Sequence, residues 1–242
     1  MKLQIWFLAL FTIFFNQPLK AERRFIETAH ISKAPITQLE LDIIKYGDEQ
    51  SKSRVLGRLA ILHKEKGTTF IYSAIPIMNE LLIKYQVTNE SHKLENNLVN
   101  FLGQIGDSRS RQVLLNSVKR SKGNSAIGLS KMDSGVIDSV ITYLHLPTIK
   151  GRGKAAHTLR KMYGRNPDLF TAEQISTIRR ELVSSLNLYS SMGAQCLALS
   201  VFGDKTTLPI LTRVATTDTL NFNGVYANKD FARYAIDQIN QR

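Results

Sequence analysis

The stretch LVNFLGQIGDSRSRQVLL, residues 98–115, decides the fold. Leu98, Phe101, Leu102 and Ile105 stand at i, i+3, i+4 and i+7, which puts them on one face of an α-helix. Gly106 can close that helix in the left-handed conformation, and Asp107 or Ser108 can accept the first backbone N–H groups of the next. The following helix buries Val113, Leu114, Leu115 and Val118. It ends on Lys119, Arg120 and Lys122, where cations suit the helix dipole, and Gly123 stops it. A pair of helices joined in this way buries one face only, so further pairs must stack on it.

The same step recurs at Tyr46-Gly47-Asp48 and Phe202-Gly203-Asp204, with a related Tyr163-Gly164-Arg165. The intervals are uneven: 59 residues from Gly47 to Gly106, 97 from Gly106 to Gly203, and 39 from Gly164 to Gly203. Helical periodicity extends over 36–46, 52–64, 69–85, 130–146, 154–163, 171–188, 193–202, 206–215 and 229–240. No run alternates apolar and polar residues convincingly, and the one hairpin candidate, Asn221–Gly224, has polar flanks. These patterns predict an all-α fold with short connections, and with 123–135 as a flexible loop between two stacks.

Residues 1–21 read as a secretory signal peptide. Lys2 is followed by an apolar run from Leu3 to Phe15, then Pro18 and a cleavage site after Ala21. The run is shorter than the roughly 20 residues that span a bilayer. Loss of Lys2 and Lys20, with no acid, lowers the formal charge from +12 to +10. An exported, periplasmic or secreted protein is expected, basic and without a transmembrane segment once mature. Such a charge favours anionic partners, and outside the inner membrane nucleic acid is the least favoured of these. Cys196 stands alone in an apolar run, which gives a buried thiol and no disulfide framework.

The segment Ala194–Asp204, followed by Thr207-Leu208-Pro209-Ile210-Leu211, resembles the helix-turn-helix core of bacterial HEAT-like repeats. Leu98–Asp107 with Leu114-Leu115 is a second match, Lys154–Gly164 resembles another second helix, and Ala232 with Ala235-Ile236 a terminal one. Residues 36–95 depart from that pattern, notably at Ala74-Ile75-Pro76. The resemblance implies a right-handed α-solenoid, a superhelix of irregular hairpins whose concave side carries the second helix of each pair. After the leader 1–21, it implies a divergent N-terminal helical cap over 22–95 and the HEAT-like repeat stack over 96–242, continuous with the cap. The family shares no catalytic residues, so it implies a binding protein and no cofactor.

A search for chemistry finds little. The five histidines, His30, His63, His92, His145 and His157, are scattered and none pair at metal-ligand spacing. Gly151–Ala156 matches G-x-G-x-x-A formally, but Pro147–Lys150 precedes it where a strand is needed. No G-x-S-x-G elbow or S-x-x-K pair is present. The same segment is more informative as charge: Lys150, Arg152, Lys154, Arg160, Lys161 and Arg165 put six cations in 16 residues with no acid among them. Lys154 and Lys161 share a helical face, and Arg109 and Arg111 belong to a second cluster with Lys119, Arg120 and Lys122. Two functions fit. One is a non-enzymatic scaffold, assembly factor or inhibitor that binds a protein in the cell envelope or outside it through the second-helix face. The other is a basic accessory protein that binds acidic glycan, lipid headgroups or another polyanion through the cationic stripe.

Overall fold

The computed structural model describes residues 35–188, 193–218 and 227–242. The leader at 1–21 and the turn at 221–224 lie outside the described residues. Residues 36–242 form one compact unit. Among the described residues there are twelve α-helices and no strand, so the all-α reading holds. The helices are α1 (Gln38–Tyr46), α2 (Glu49–Lys66), α3 (Ala74–Thr88), α4 (His92–Ile105), α5 (Arg111–Lys119) and α6 (Ala126–Leu129). They continue with α7 (Gly135–Thr142), α8 (Ile149–Tyr163), α9 (Ala172–Leu188), α10 (Gly193–Phe202), α11 (Leu208–Thr217) and α12 (Ala227–Asn240).

The helices sort into two rows. In the first, α1 packs on α3, α3 on α5, α5 on α7, α7 on α9 and α9 on α11. In the second, α2 packs on α4, α4 on α6, α6 on α8, α8 on α10 and α10 on α12. Consecutive helices bridge the rows and enclose the core, in which Ile44, Leu59, Leu82, Leu98, Leu114, Leu159 and Phe202 are almost fully buried. Small residues let the last second-row helices approach closely: Ala155 and Ala156 on α8, Cys196 and Ala198 on α10, and Ala232 and Ala235 on α12 are all buried. Tyr163, Phe170 and Phe202 meet where α8, α9 and α10 converge, with ring centroids 5.1 to 5.8 Å apart.

The connections explain the uneven spacing of the Gly-Asp steps. Gly47-Asp48 leads from first row to second, whereas Gly106-Asp107 and Gly203-Asp204 lead back from second to first. Each of the returns from α2, α4, α8 and α10 runs through a glycine (Gly67, Gly106, Gly164, Gly203) and then a 3₁₀ turn. From Gly67 to Gly106 is 39 residues, and from Gly164 to Gly203 is again 39. Between Gly106 and Gly164 two pairs occupy only 58 residues, because α6 is a single turn.

The aspartates are caps: Asp48 accepts from Ser51 N, Asp107 from Arg109 N and Asp204 from Thr206 N. The glycines differ. Gly106 takes the left-handed conformation (φ 68°), but Gly203 is needed for space, since a Cβ there would lie 2.5 Å from the Leu199 carbonyl oxygen.

Four boundaries depart from the periodicity. The helix expected at 69–85 is a 3₁₀ turn at Thr68–Ile71 and then α3, which carries Pro76 in its first turn, where a missing N–H costs nothing. The helix expected at 130–146 is α7 followed by a 3₁₀ turn at Tyr143–His145. The helix expected to begin at 154 begins at Ile149 instead, because Thr148 caps it through Gly151 N at 3.1 Å. The expected loop 123–135 contains α6, with Ala126, Gly128 and Leu129 buried. It packs because Gly128 lies against Gly103 of α4 with no side chain between them: a Cβ on Gly128 would come within 2.8 Å of Gly103 Cα.

Two glycine substitutions test this packing. Gly128→Ala should destabilise the fold by about 1–3 kcal/mol through overpacking against α4 backbone. Gly57→Ala, in the interior of α2 where the added methyl meets nothing within 4 Å, should stabilise it by about 0.5–1 kcal/mol. Urea unfolding midpoints read both.

Candidate anion-binding face

α8 turns Gly151, Arg152, Ala155, Ala156, Thr158, Leu159 and Met162 into the core. Lys150, Lys154, His157 and Lys161 follow at i, i+4, i+7 and i+11 and occupy the opposite face. Gly151 and Gly153, which an expected helix start at 154 would leave outside, therefore lie within the first turns of α8.

The eight cations singled out in the sequence have three fates. Arg152 is only 4 % exposed; its Nη1 donates to the carbonyls of Leu146 (2.6 Å) and Pro147 (3.2 Å), so it closes the α7–α8 connection. Lys154 is half-buried, donates to the Gly123 carbonyl, and is held below the usual lysine range by that burial. Arg109, in the 3₁₀ turn before α5, and Arg111, at the start of α5, are each paired with a carboxylate. Arg109 makes a two-pronged pair with Asp107 (2.8 and 3.0 Å) and lies 3.7 Å from the centre of the Tyr72 ring. Their pairing lowers the Asp107 carboxyl and raises the Arg109 guanidinium. Arg111 Nη1 is 2.8 Å from Asp133 Oδ2. The remaining four, Lys150, Arg160, Lys161 and Arg165, have no carboxylate partner among the described residues. None is close in sequence, for the chain holds no acid between Asp138 and Asp168. The Nε of Arg160 is buried without a hydrogen-bond partner.

His157 completes this face, and in the sequence it stands as one of five scattered histidines. Its burial, and then the charges of Lys154, Arg160 and Lys161, hold its pKa below the ordinary 6.5. The only signal in the sequence is its register with 150, 154 and 161.

The second basic cluster does meet the first, since Ser121 Oγ donates to the Lys150 carbonyl at 3.1 Å and Lys154 reaches Gly123. Much of its charge, however, is used. Glu95, fully buried, draws Arg120 Nε to 3.1 Å, His92 Nδ1 to 3.7 Å and Lys122 Nζ to 3.9 Å. Cys196 is buried and pushed up to about 12, so its thiol is not ionised near neutrality. Among the described residues no group of three His, Cys, Asp or Glu side chains is arranged to hold a metal. No described helix is long and apolar enough to cross a membrane. No family model, curated protein or solved structure matches this chain.

Many other cations donate to backbone. Lys131 Nζ reaches the Gln104 carbonyl, Arg179 Nε that of Phe202 (2.7 Å), Arg213 Nη2 that of Leu186 (3.1 Å), and Arg242 those of Ser200, Val201 and Gly203. Arg179 also pairs with Asp204 at 2.6 Å. Arg179→Met keeps the stem and removes both interactions, and should destabilise the fold by about 1–2 kcal/mol in thermal or urea unfolding.

A second check is pH. His63, lowered by burial and Lys131, and His157 both bind protons more weakly folded than unfolded. The unfolded chain therefore takes up protons first, so the stability they contribute is complete above pH 6.5 and is lost as pH falls from there toward their folded values. Glu40, Asp107 and Asp204 are also lowered, but their loss begins lower, below their ordinary values of 4.5 and 3.8. Unfolding midpoints should drop between about pH 7 and pH 5, and His157→Gln should flatten that slope.

Proposed function

We propose that this chain is an exported, non-enzymatic α-solenoid of irregular HEAT-like hairpins that binds a protein partner in the cell envelope or outside it through the outer faces of its second-row helices. The observation that carries the reading is the pair of helix rows, each helix touching the next in its own row, with a glycine-and-3₁₀ return that recurs at 39 residues. Units that contact only their neighbours make an extended surface, and such surfaces serve binding better than enclosed chemistry. The resemblance of 194–211 to HEAT-like repeats and the leader-like 1–21 support the same reading, and a right-handed sense belongs to it. Scaffold, assembly factor and inhibitor are all roles for such a surface. The four unneutralised cations near α8 favour a second reading, an accessory protein that holds acidic glycan, lipid headgroups or another polyanion.

The test is capture from the native envelope fraction with the full tagged chain, at about 0.1 M and about 0.5 M salt, since exposed charges are screened over roughly 8 Å or less in this range. One protein retained at both salts is expected. Retention of lipid or glycan alone, lost at high salt, would replace this reading with the second. Terminal sequencing of the recovered chain should begin at Glu22, and an intact Met1 on cytoplasmic material would remove the export step.

A further inference from the structure

We infer that the outer face of α8 and the turn that follows it, from Lys150 through His157 and Lys161 to Arg165, seat an acidic segment of the partner in an extended conformation, its alternate carboxylates following the helix. This rests on the reading above that second-row faces are the binding surface. The cations form a line and not a field. Fifteen residues of helix make that line about 22 Å long. On either side it is bounded by helices with no charge at all, since neither α6 nor α10 contains an Asp, Glu, Lys or Arg. A membrane or a duplex backbone would rest on those neighbouring faces as well and would need cations there. A single peptide strand needs only the line.

The spacing points the same way. Residues four apart on a helix rise about 6 Å, and alternate residues of an extended strand lie about 6.6–6.8 Å apart. A segment with glutamate at every second position thus matches the four-residue step from His157 to Lys161, and Arg165 stands in the turn just beyond the helix end. Arg160, beside Lys161, has its buried Nε still without an acceptor. Several charges on the elements packed around α8 are engaged elsewhere. Arg120 and Lys122 serve Glu95, Asp138 of α7 accepts Gln174 Nε2 at 2.7 Å, and His145 is 3.3 Å from Glu181. Asp168 is exposed on the turn beyond α8, and Lys119 is exposed at the end of α5. Carboxylates laid along the face would relieve the repulsion among its cations and raise proton affinity at His157.

The experiment uses the full chain and three probes: a fluorescein-labelled (Glu-Ser)₄ peptide, the block peptide Glu₄Ser₄ of equal charge, and phosphatidylglycerol vesicles. The alternating peptide should bind more tightly than the block peptide and the vesicles. Lys150→Glu with Lys161→Glu should weaken it about tenfold or more, while Lys64→Glu with Lys66→Glu on α2, an equal change of net charge, should alter it less than about twofold. In NMR titrations the His157 pKa should rise when the alternating peptide binds. Equal loss in both double variants, preference for the block peptide or vesicles, or an unmoved His157 would overturn the inference. Should the α8 double variant not fold, Lys161→Gln alone must still weaken binding. An envelope protein captured equally by the α8 double variant would remove this inference and leave the second-row surface standing.

Discussion

A helix that ends against a neighbour leaves its last carbonyl oxygens without partners, and in this chain basic side chains from adjacent segments supply the missing donors. Gln104 at the end of α4 receives Lys131, Leu186 near the end of α9 receives Arg213, and the end of α10 receives Arg179 and Arg242 together. Arg152 and Lys154 do the same for the connections at Leu146-Pro147 and Gly123. A cation is the natural donor here, since it satisfies the carbonyl and the negative end of the helix dipole at once. Much of the excess positive charge is therefore part of the packing, and only the remainder is free for a partner.

That distinction changes how the candidate site is understood. A count of Lys and Arg between 150 and 165 suggests one stripe, yet burial splits it by helical register. Arg152 shares the inner face with Ala155, Ala156 and Leu159, and Lys154 is drawn sideways to the α5–α6 connection. The outer face keeps Lys150 and Lys161 and gains His157, whose proton affinity is depressed by burial first and then by the cations beside it.

Most of the helices were legible because apolar spacing and caps agree, as at Thr171 and Gln174, which bond each other's backbone N–H reciprocally at the start of α9. The repeat interval was hidden because Gly47-Asp48 looks like the other steps but makes the opposite connection, while the true counterpart, Gly67, is followed by threonine and not by aspartate. The α6 turn was hidden because its packing rests on the contact of Gly128 with Gly103, two glycines far apart in sequence that leave no periodic trace. At the site, positions 154, 157 and 161 could be placed on one face by spacing alone, whereas 150 lay ahead of the expected helix start and joins them only because Thr148 caps the helix earlier. That Arg109 and Arg111 pair with Asp107 and Asp133 could be read only in part, for Asp107 is adjacent and Asp133 is 22 residues away.

A beam flexes where its section is smallest, and the second row thins to the single turn of α6. There the amides of Gly123 and Asn124 are held by the side chains of Asn96 and Asn100 instead of by a continuing ladder of backbone carbonyls. Only that one turn and the contacts around it carry the second row across residues 121–131. The span is shared with the first row, because α5 packs directly on α8 and ties the helices before the seam to those after it.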